Sequence, residues 1–477
     1  MASRHRLRQS VGLLPRPVRP DRPHRAHDTT GSRGAVRGGP VIPGEHRLPR
    51  VVLDELAAGR GGADGVAWLR AAQHSKSMLL VRAIIALLRE RGHPDRAAIE
   101  AAYRLLAGLR PEQRATALGH PPVAAWAFGT AALLDGDGTA QAYPGLLAAV
   151  AATAAVRAGL EADLDVPLAV GAAGRLDLPG LGTATLPDTA THARVRVSRG
   201  HAWAYGAGER VEIGAGSTDR RWRPVPRLDL AHHGLRLSLL LDTRSWQHVP
   251  GIGTGHRISG GLTDAWRSRL DEAWRLLVEH HRPVAEELSG TLRALVPVPS
   301  PGAGSRSGTF HHAFGAVAMS LPPDAPSAAV VLAHEIQHAK LAALNDMFAL
   351  LEPGPPELFY TPWRTDPRPL EGLLHGVYAH LGVAGFWRRQ ARVTVDGAAR
   401  YRAEVEFARW SRAADDTVRV LAAQRRLTPV GRHLVDGMAA VLADWAAESV
   451  SPPAAQRAHR LLADHRERWG RRRAPTG

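Results

Sequence analysis

The sequence predicts a mainly α protein with a small antiparallel β region, an α+β chain whose helical part carries a zincin-like metal motif. Three observations predict it. Apolar residues recur at three- and four-residue spacing over most of the chain, the pattern switches to short alternating stretches between residues 165 and 261, and there is no cysteine among 477 residues. That length calls for two or three domains, with enough chain to bury a core without disulfide staples.

Taken in order, residues 1–45 are rich in Arg, Pro and Gly with almost no periodic apolar positions, so a disordered basic tail is expected, and a start nearer Val41 would fit as well. From Leu48 the pattern turns helical. Val51, Leu53 and Leu56, then Trp68, Leu69 and Ala72, then Leu79, Leu80, Ala83, Leu87 and Leu88 lie at helical spacing, and Ala98–Leu109 and Leu146–Leu160 continue it. A helical N-terminal domain is therefore expected over 46–164.

Residues 165–261 read as a β-rich region, with strands at Ala193–Val197, Glu209–Ile213 and Leu235–Leu241 separated by Gly, Pro and Asp clusters. Gly251, Gly253 and Gly255 stand in a loop and do not open a helix after a strand, which makes a poor dinucleotide fingerprint. A helical metal domain is expected over 262–470, with helices at Leu262–Leu295, Ala325–Leu351, Arg368–Arg389, Ala398–Leu427 and Pro429–Ala447. Thr309–Leu321 reads as a strand, residues 471–477 as a second basic tail, and no internal repeat of constant period is evident.

Charge excludes some functions. The 61 basic and 45 acidic residues give +16, but residues 1–50 contribute +8 (11 Arg against Asp21, Asp28 and Glu45) and residues 456–477 contribute +5 (seven Arg against Asp464 and Glu467). The remainder is close to neutral, so the basic reading face that nucleic-acid binding needs is not expected. The longest uncharged run, Gly138–Val156, holds Pro144, Gln141 and Thr153 and reads as an internal helix, not a membrane span. With no export signal either, a cytoplasmic chain is expected. No pattern specifies an oligomeric state.

The sharpest chemical signal is His334-Glu335-Ile336-Gln337-His338, inside an apolar helical stretch. Two imidazoles four residues apart share one helix face and can meet one divalent ion, while Glu335 can reach a metal-bound water, the place of a general base in zinc peptidases. Without cysteine, a further ligand must be His, Asp or Glu. Glu371 is the first choice, then His380 and His375, all on one downstream helix. Two histidines and a carboxylate suit Zn(II) hydrolysis and also Fe(II) oxygen chemistry. Between the two helices, Phe359–Pro369 carries Arg364 and Arg368. Either could clamp the distal carboxylate of a dianionic co-substrate, or both could tie the loop to Asp366.

The run His-Glu-Ile-Gln-His-Ala-Lys-Leu from His334, followed by Tyr-Thr-Pro-Trp-Arg-Thr-Asp-Pro-Arg-Pro-Leu-Glu-Gly-Leu-Leu-His-Gly-Val-Tyr-Ala-His-Leu-Gly-Val-Ala-Gly-Phe-Trp from Tyr360 to Trp387, resembles the HEXXH-motif domain of peptide natural-product maturation. The resemblance covers about 55 residues in detail, with a similar helical opening around Ala57–Leu88. It implies an Fe(II)- and 2-oxoglutarate-dependent peptide β-hydroxylase acting on a ribosomally made precursor peptide. It also implies the stand-alone form of the family, because a fused radical-SAM partner would need cysteines. His334 and His338 take the metal role, with Glu371 or His380 completing the set; family members often have Gln where this chain has His375. In that reaction Glu335 would orient a ligand or water. The competing expectation is a zinc metallopeptidase with Glu335 as general base, Glu371 as ligand and the Thr309–Leu321 strand aligning the substrate. A third is a peptide-binding scaffold that retains the histidines without catalysis. Peptide docking is expected on strand edges within 165–261.

Overall fold

The computed structural model describes residues 46–136, 138, 141–249, 260–300 and 305–471. The tail expected at 1–45, the glycines Gly251, Gly253 and Gly255, and residues 472–477 lie outside the described residues. The protein is mainly α with small sheets. Among the described residues six helices come first: α1 (Arg50–Ala57), α2 (Gly62–Glu90), α3 (Arg96–Gly108), α4 (Pro111–Leu118), α5 (Pro121–Asp135) and α6 (Leu146–Ala158). Helix α6 is buried on every side from Leu146 to Ala155 and stops at Gly159, whose φ of 62° satisfies the last carbonyls in the left-handed region. Among the described residues no helix is long and apolar enough to cross a membrane.

Strands β1 (Ala162–Pro167), β4 (His192–Ser198), β5 (His201–Gly206) and β6 (Glu209–Glu212) form one antiparallel sheet, and β2 (Arg175–Leu178), β3 (Gly182–Thr185) and β7 (Trp222–Pro224) form another. Alternation is clean in β4, where Ala193, Val195 and Val197 point inward and the residues between them outward.

The hairpin β8 (Arg227–His232) and β9 (Leu235–Leu241) joins a five-stranded sheet with β10 (Ala294–Pro297), β11 (Ser307–Thr309) and β12 (Ala316–Met319), in the order β11-β12-β10-β9-β8. This sheet is mixed: β10 runs parallel to both β9 and β12. The small antiparallel β region expected from the sequence is present, and strands from beyond residue 261 extend its hairpin β8–β9 with parallel pairing. Parallel pairing needs a crossover, supplied here by α7 (Gly260–His280) and α8 (Arg282–Thr291). Strand β10 is buried throughout, as a covered central strand must be, so its unbroken apolar run reads in sequence as the end of a helix. The single strand expected at Thr309–Leu321 is likewise two strands around a turn. Gly315 holds that turn at φ 90°, with the Thr291 carbonyl 2.4 Å from where a Cβ would sit.

Helices α9 (Ala325–Met347), α10 (Leu370–Val393), α11 (Gly397–Ala422) and α12 (Pro429–Ala446) fall where periodicity places them. The Arg-rich C-terminal stretch is a further helix, α13 (Pro452–Arg471), with Ala454, Ala458 and His465 buried, so that part of the basic excess sits on folded structure and not in a tail. Helix α9 lies between two cores. Leu332, Ala333 and Ile336 pack with the five-stranded sheet, and Leu341 and Leu344 pack with α1, α10 and α12.

Candidate metal centre

Helix α9 is rotated into place by its polar residues. The Asp324 carboxylate caps it by accepting from the Ser327 N–H at 2.7 Å. One turn after the motif begins, Gln337 Nε2 donates to the Gly59 carbonyl at 2.8 Å. The Lys340 ammonium, fully buried, donates to the Gly59 and Arg60 carbonyls and to both oxygens of Glu287 on α8. These bonds satisfy carbonyls beyond the end of α1, and they fix which way the histidine face of α9 points.

That face presents His334 and His338 with their Nε2 atoms 3.1 Å apart and their rings crossed at 82°. For metal–nitrogen bonds of about 2.1 Å, such a separation subtends about 95° at a shared ion, an angle suited to neighbouring coordination positions. Burial pushes His334 down to about 4, and burial together with the charge of His334 pushes His338 to about 3 against the opposing pull of Glu335. Both imidazoles are therefore neutral at physiological pH, the form that binds a metal.

Helix α10 brings a third ring. The His380 ring centre lies 5.0 Å from that of His334. Its Nδ1–H donates to the Gly376 carbonyl at 2.8 Å, which leaves Nε2 with its lone pair free for a metal. Burial pushes this imidazole well below its ordinary value. Trp363 stacks on it at 4.4 Å and 15°, and Trp410 of α11 covers it at 4.8 Å. Two glycines permit this approach. A Cβ at Gly376 would fall 2.5 Å from the Trp363 ring, and one at Gly382 would fall 2.6 Å from Gln337 Cγ on α9.

The other two third-ligand candidates are placed differently. His375 stands further out, its ring centre 6.3 Å from that of His338. Glu371 is exposed in the first turn of α10, where its charge acts on His311 and His375 and is not among the influences on His334 or His338. Nine residues separate Glu371 from His380, about 180° around a helix, so the side of α10 that offers His380 to α9 turns Glu371 away. Of the candidate third ligands, His380 is the one whose ring is brought against His334.

Glu335 is 1 % exposed. One of its oxygens accepts a short hydrogen bond from the Thr309 hydroxyl on β11, and the other lies 4.0 Å from His334 Nε2. No family model and no curated protein matches the chain.

The anchor arginines are engaged elsewhere: Arg364 Nε donates to Asp366 at 2.8 Å, and Arg368 lies 3.5 Å from the same carboxylate. The cation whose charge reaches His380 is Arg409 on α11. It lies over the Trp410 ring at 4.2 Å, and its Nε is buried with no hydrogen-bond partner among the described residues. Sequence reasoning missed Arg409 and Trp410 as parts of the site, and gave Thr309 only as the start of a substrate-aligning strand and not as the partner of Glu335. None has a linear signal, since Arg409 is one of 59 arginines in the chain.

Proposed function

We propose that this chain is an Fe(II)- and 2-oxoglutarate-dependent hydroxylase of a side-chain β-carbon in a ribosomally made precursor peptide. One observation carries the reading: the stretch from His334 to Trp387 that bears the family resemblance folds back on itself, so that His334, His338 and His380 approach one another behind Trp363. Three neutral imidazoles fit a divalent first-row ion, and three protein ligands leave positions open for a co-substrate.

Bound iron, with 2-oxoglutarate and O₂, supplies the oxidation that converts C–H to C–OH while releasing succinate and CO₂. His334, His338 and His380 hold the ion. Trp363 and Trp410 keep water from His380, and Glu335, tied to Thr309, orients a bound ligand. Arg409, whose buried Nε lacks an acceptor although its Nη1 lies 3.9 Å from Glu406, takes the carboxylate-anchoring role in preference to Arg364 and Arg368, which pair with Asp366 at the surface.

A zinc metallopeptidase is the second reading, favoured by the 4.0 Å between Glu335 and His334 Nε2 and by the edge position of β11 beside it. Anaerobic reconstitution with Fe(II), then addition of 2-oxoglutarate, O₂ and the precursor peptide, separates the two. Peptide-dependent succinate and a gain of one oxygen support the hydroxylase; peptide cleavage with Zn(II), abolished by Glu335→Gln, supports the peptidase.

A further inference from the structure

A second histidine cluster lies beyond the first. His311 and His312 sit in the loop between β11 and β12, their ring centres 4.6 Å apart at 90°, and Asp346 closes the last turn of α9. One ligand atom from each of the three falls within 4.8 Å of the others. His312 is locked by stacking on Phe128 at 3.5 Å. His375 is the neighbouring imidazole toward the first site, its ring centre 6.4 Å from that of His311.

Two of these donors already hold a cation. Lys76 of α2 donates from Nζ to His312 Nδ1 at 3.2 Å and to Asp346 Oδ2 at 2.7 Å, and Gln73 Nε2 donates to the same Asp346 oxygen at 2.8 Å. The only lysines in the chain are Lys76 and Lys340, so a compact ammonium is rare here, and this one occupies the mouth of a two-imidazole, one-carboxylate set. The charges facing the cluster are Lys76, Asp346 and, toward His311, Glu371.

We propose that His311, His312 and Asp346 form a second site for a divalent first-row transition ion, which binds by displacing the Lys76 ammonium. Two imidazoles and one carboxylate suit Zn(II), Co(II) or Fe(II). The residues are distinct from His334, His338 and His380, so the proposal stands whether or not the first site performs the chemistry proposed above. An ion here would also brace the loop that follows Thr309, the residue holding Glu335.

The test is metal stoichiometry on the full chain, titrated with Co(II) and Zn(II) and followed by calorimetry and visible absorption, with circular dichroism as the folding control. With the surface cluster of His232, His233 and Glu279 removed by His232→Ala/His233→Ala, which serves as the background for every variant below, the chain should bind two equivalents. The His311→Ala/His312→Ala variant should lose one, and the His334→Ala/His338→Ala variant should lose the other. Lys76→Gln removes the competing cation, so the second affinity should rise roughly tenfold, a gain that a merely structural cluster would not show. If His311→Ala/His312→Ala does not fold, Asp346→Asn serves in its place and should weaken the same equivalent. A single equivalent that disappears with His334→Ala/His338→Ala, or a second one that survives His311→Ala/His312→Ala, overturns the proposal. A single equivalent lost only with His311→Ala/His312→Ala supports it, while sinking the first site.

Discussion

Where the β-rich region meets the N-terminal helices, His120 at the start of α5 and His248 each face a buried aspartate, Asp242 at 3.2 Å and Asp177 at 3.0 Å, whereas at the helical centre His334, His338 and His380 face one another and aromatic rings. The aspartates are further satisfied. Asp242 accepts from the N–H groups of Arg244 and Ser245, and Asp177 accepts from the Thr183 hydroxyl and from Arg175. Burial alone would push the Asp177 carboxyl up, but the bond and charge of His248, with the Thr183 hydroxyl and the Arg175 charge, together hold it low. A buried imidazole with its own carboxylate is a finished structural unit. Imidazoles buried without one keep unused lone pairs in an apolar setting, a cost that a metal offsets.

The comparison breaks most sharply on metal binding. The His334→Ala/His338→Ala variant should lose first-site metal affinity by roughly a thousandfold or more while folding normally without metal, as read by equilibrium dialysis and circular dichroism. Tight binding that persisted there would erase the distinction. In the β-rich region the converse holds. Asp242→Ala strands a buried histidine and should cost about 3 kcal/mol in chemical denaturation, with first-site affinity untouched. The distinction sharpens on α10, where His380→Ala should weaken metal binding roughly a hundredfold and Glu371→Gln by less than about threefold; equal effects would restore Glu371 as the ligand.

A smaller effect concerns pH. Burial, only partly opposed by the Gln390 hydrogen bond, pushes His281 from 6.5 down to about 4. Between those values the unfolded chain binds a proton that the folded chain refuses, so stability rises with pH there, is complete above about 6.5 and falls as pH drops toward 4. The contribution is about 3 kcal/mol. His281→Gln should flatten urea midpoints over that window, and an unchanged slope would show that burial does not govern this imidazole. Smallest of all, Arg364→Ala breaks an exposed ion pair and should change stability by less than about 0.5 kcal/mol. A large loss of 2-oxoglutarate turnover in that variant would return the anchor role from Arg409 to Arg364.

Legibility followed locality. Helices α9 to α12 begin and end close to where apolar spacing places them, because each buries one continuous stripe. The parallel strand β10 was hidden, since a strand covered on both faces has no alternation to show. Lys340 and Gln337 look like ordinary helix residues until Gly59, Arg60 and Glu287 arrive from distant parts of the chain. The same holds for Arg409, whose role depends on α11 lying against α10.

Sequence by itself determined that His334 and His338 share a face, because four residues are just over one turn of an α-helix. It also showed that any metal here is held without a cysteine thiolate, since there is no cysteine. Only the tertiary structure brings the His380 ring against that pair and sets Asp366 beside the arginines of the loop. The physical reason is that the rotation of α10 about its own axis is set by close packing at Gly376 and Gly382 against Trp363 and α9, contacts between residues that no local pattern links.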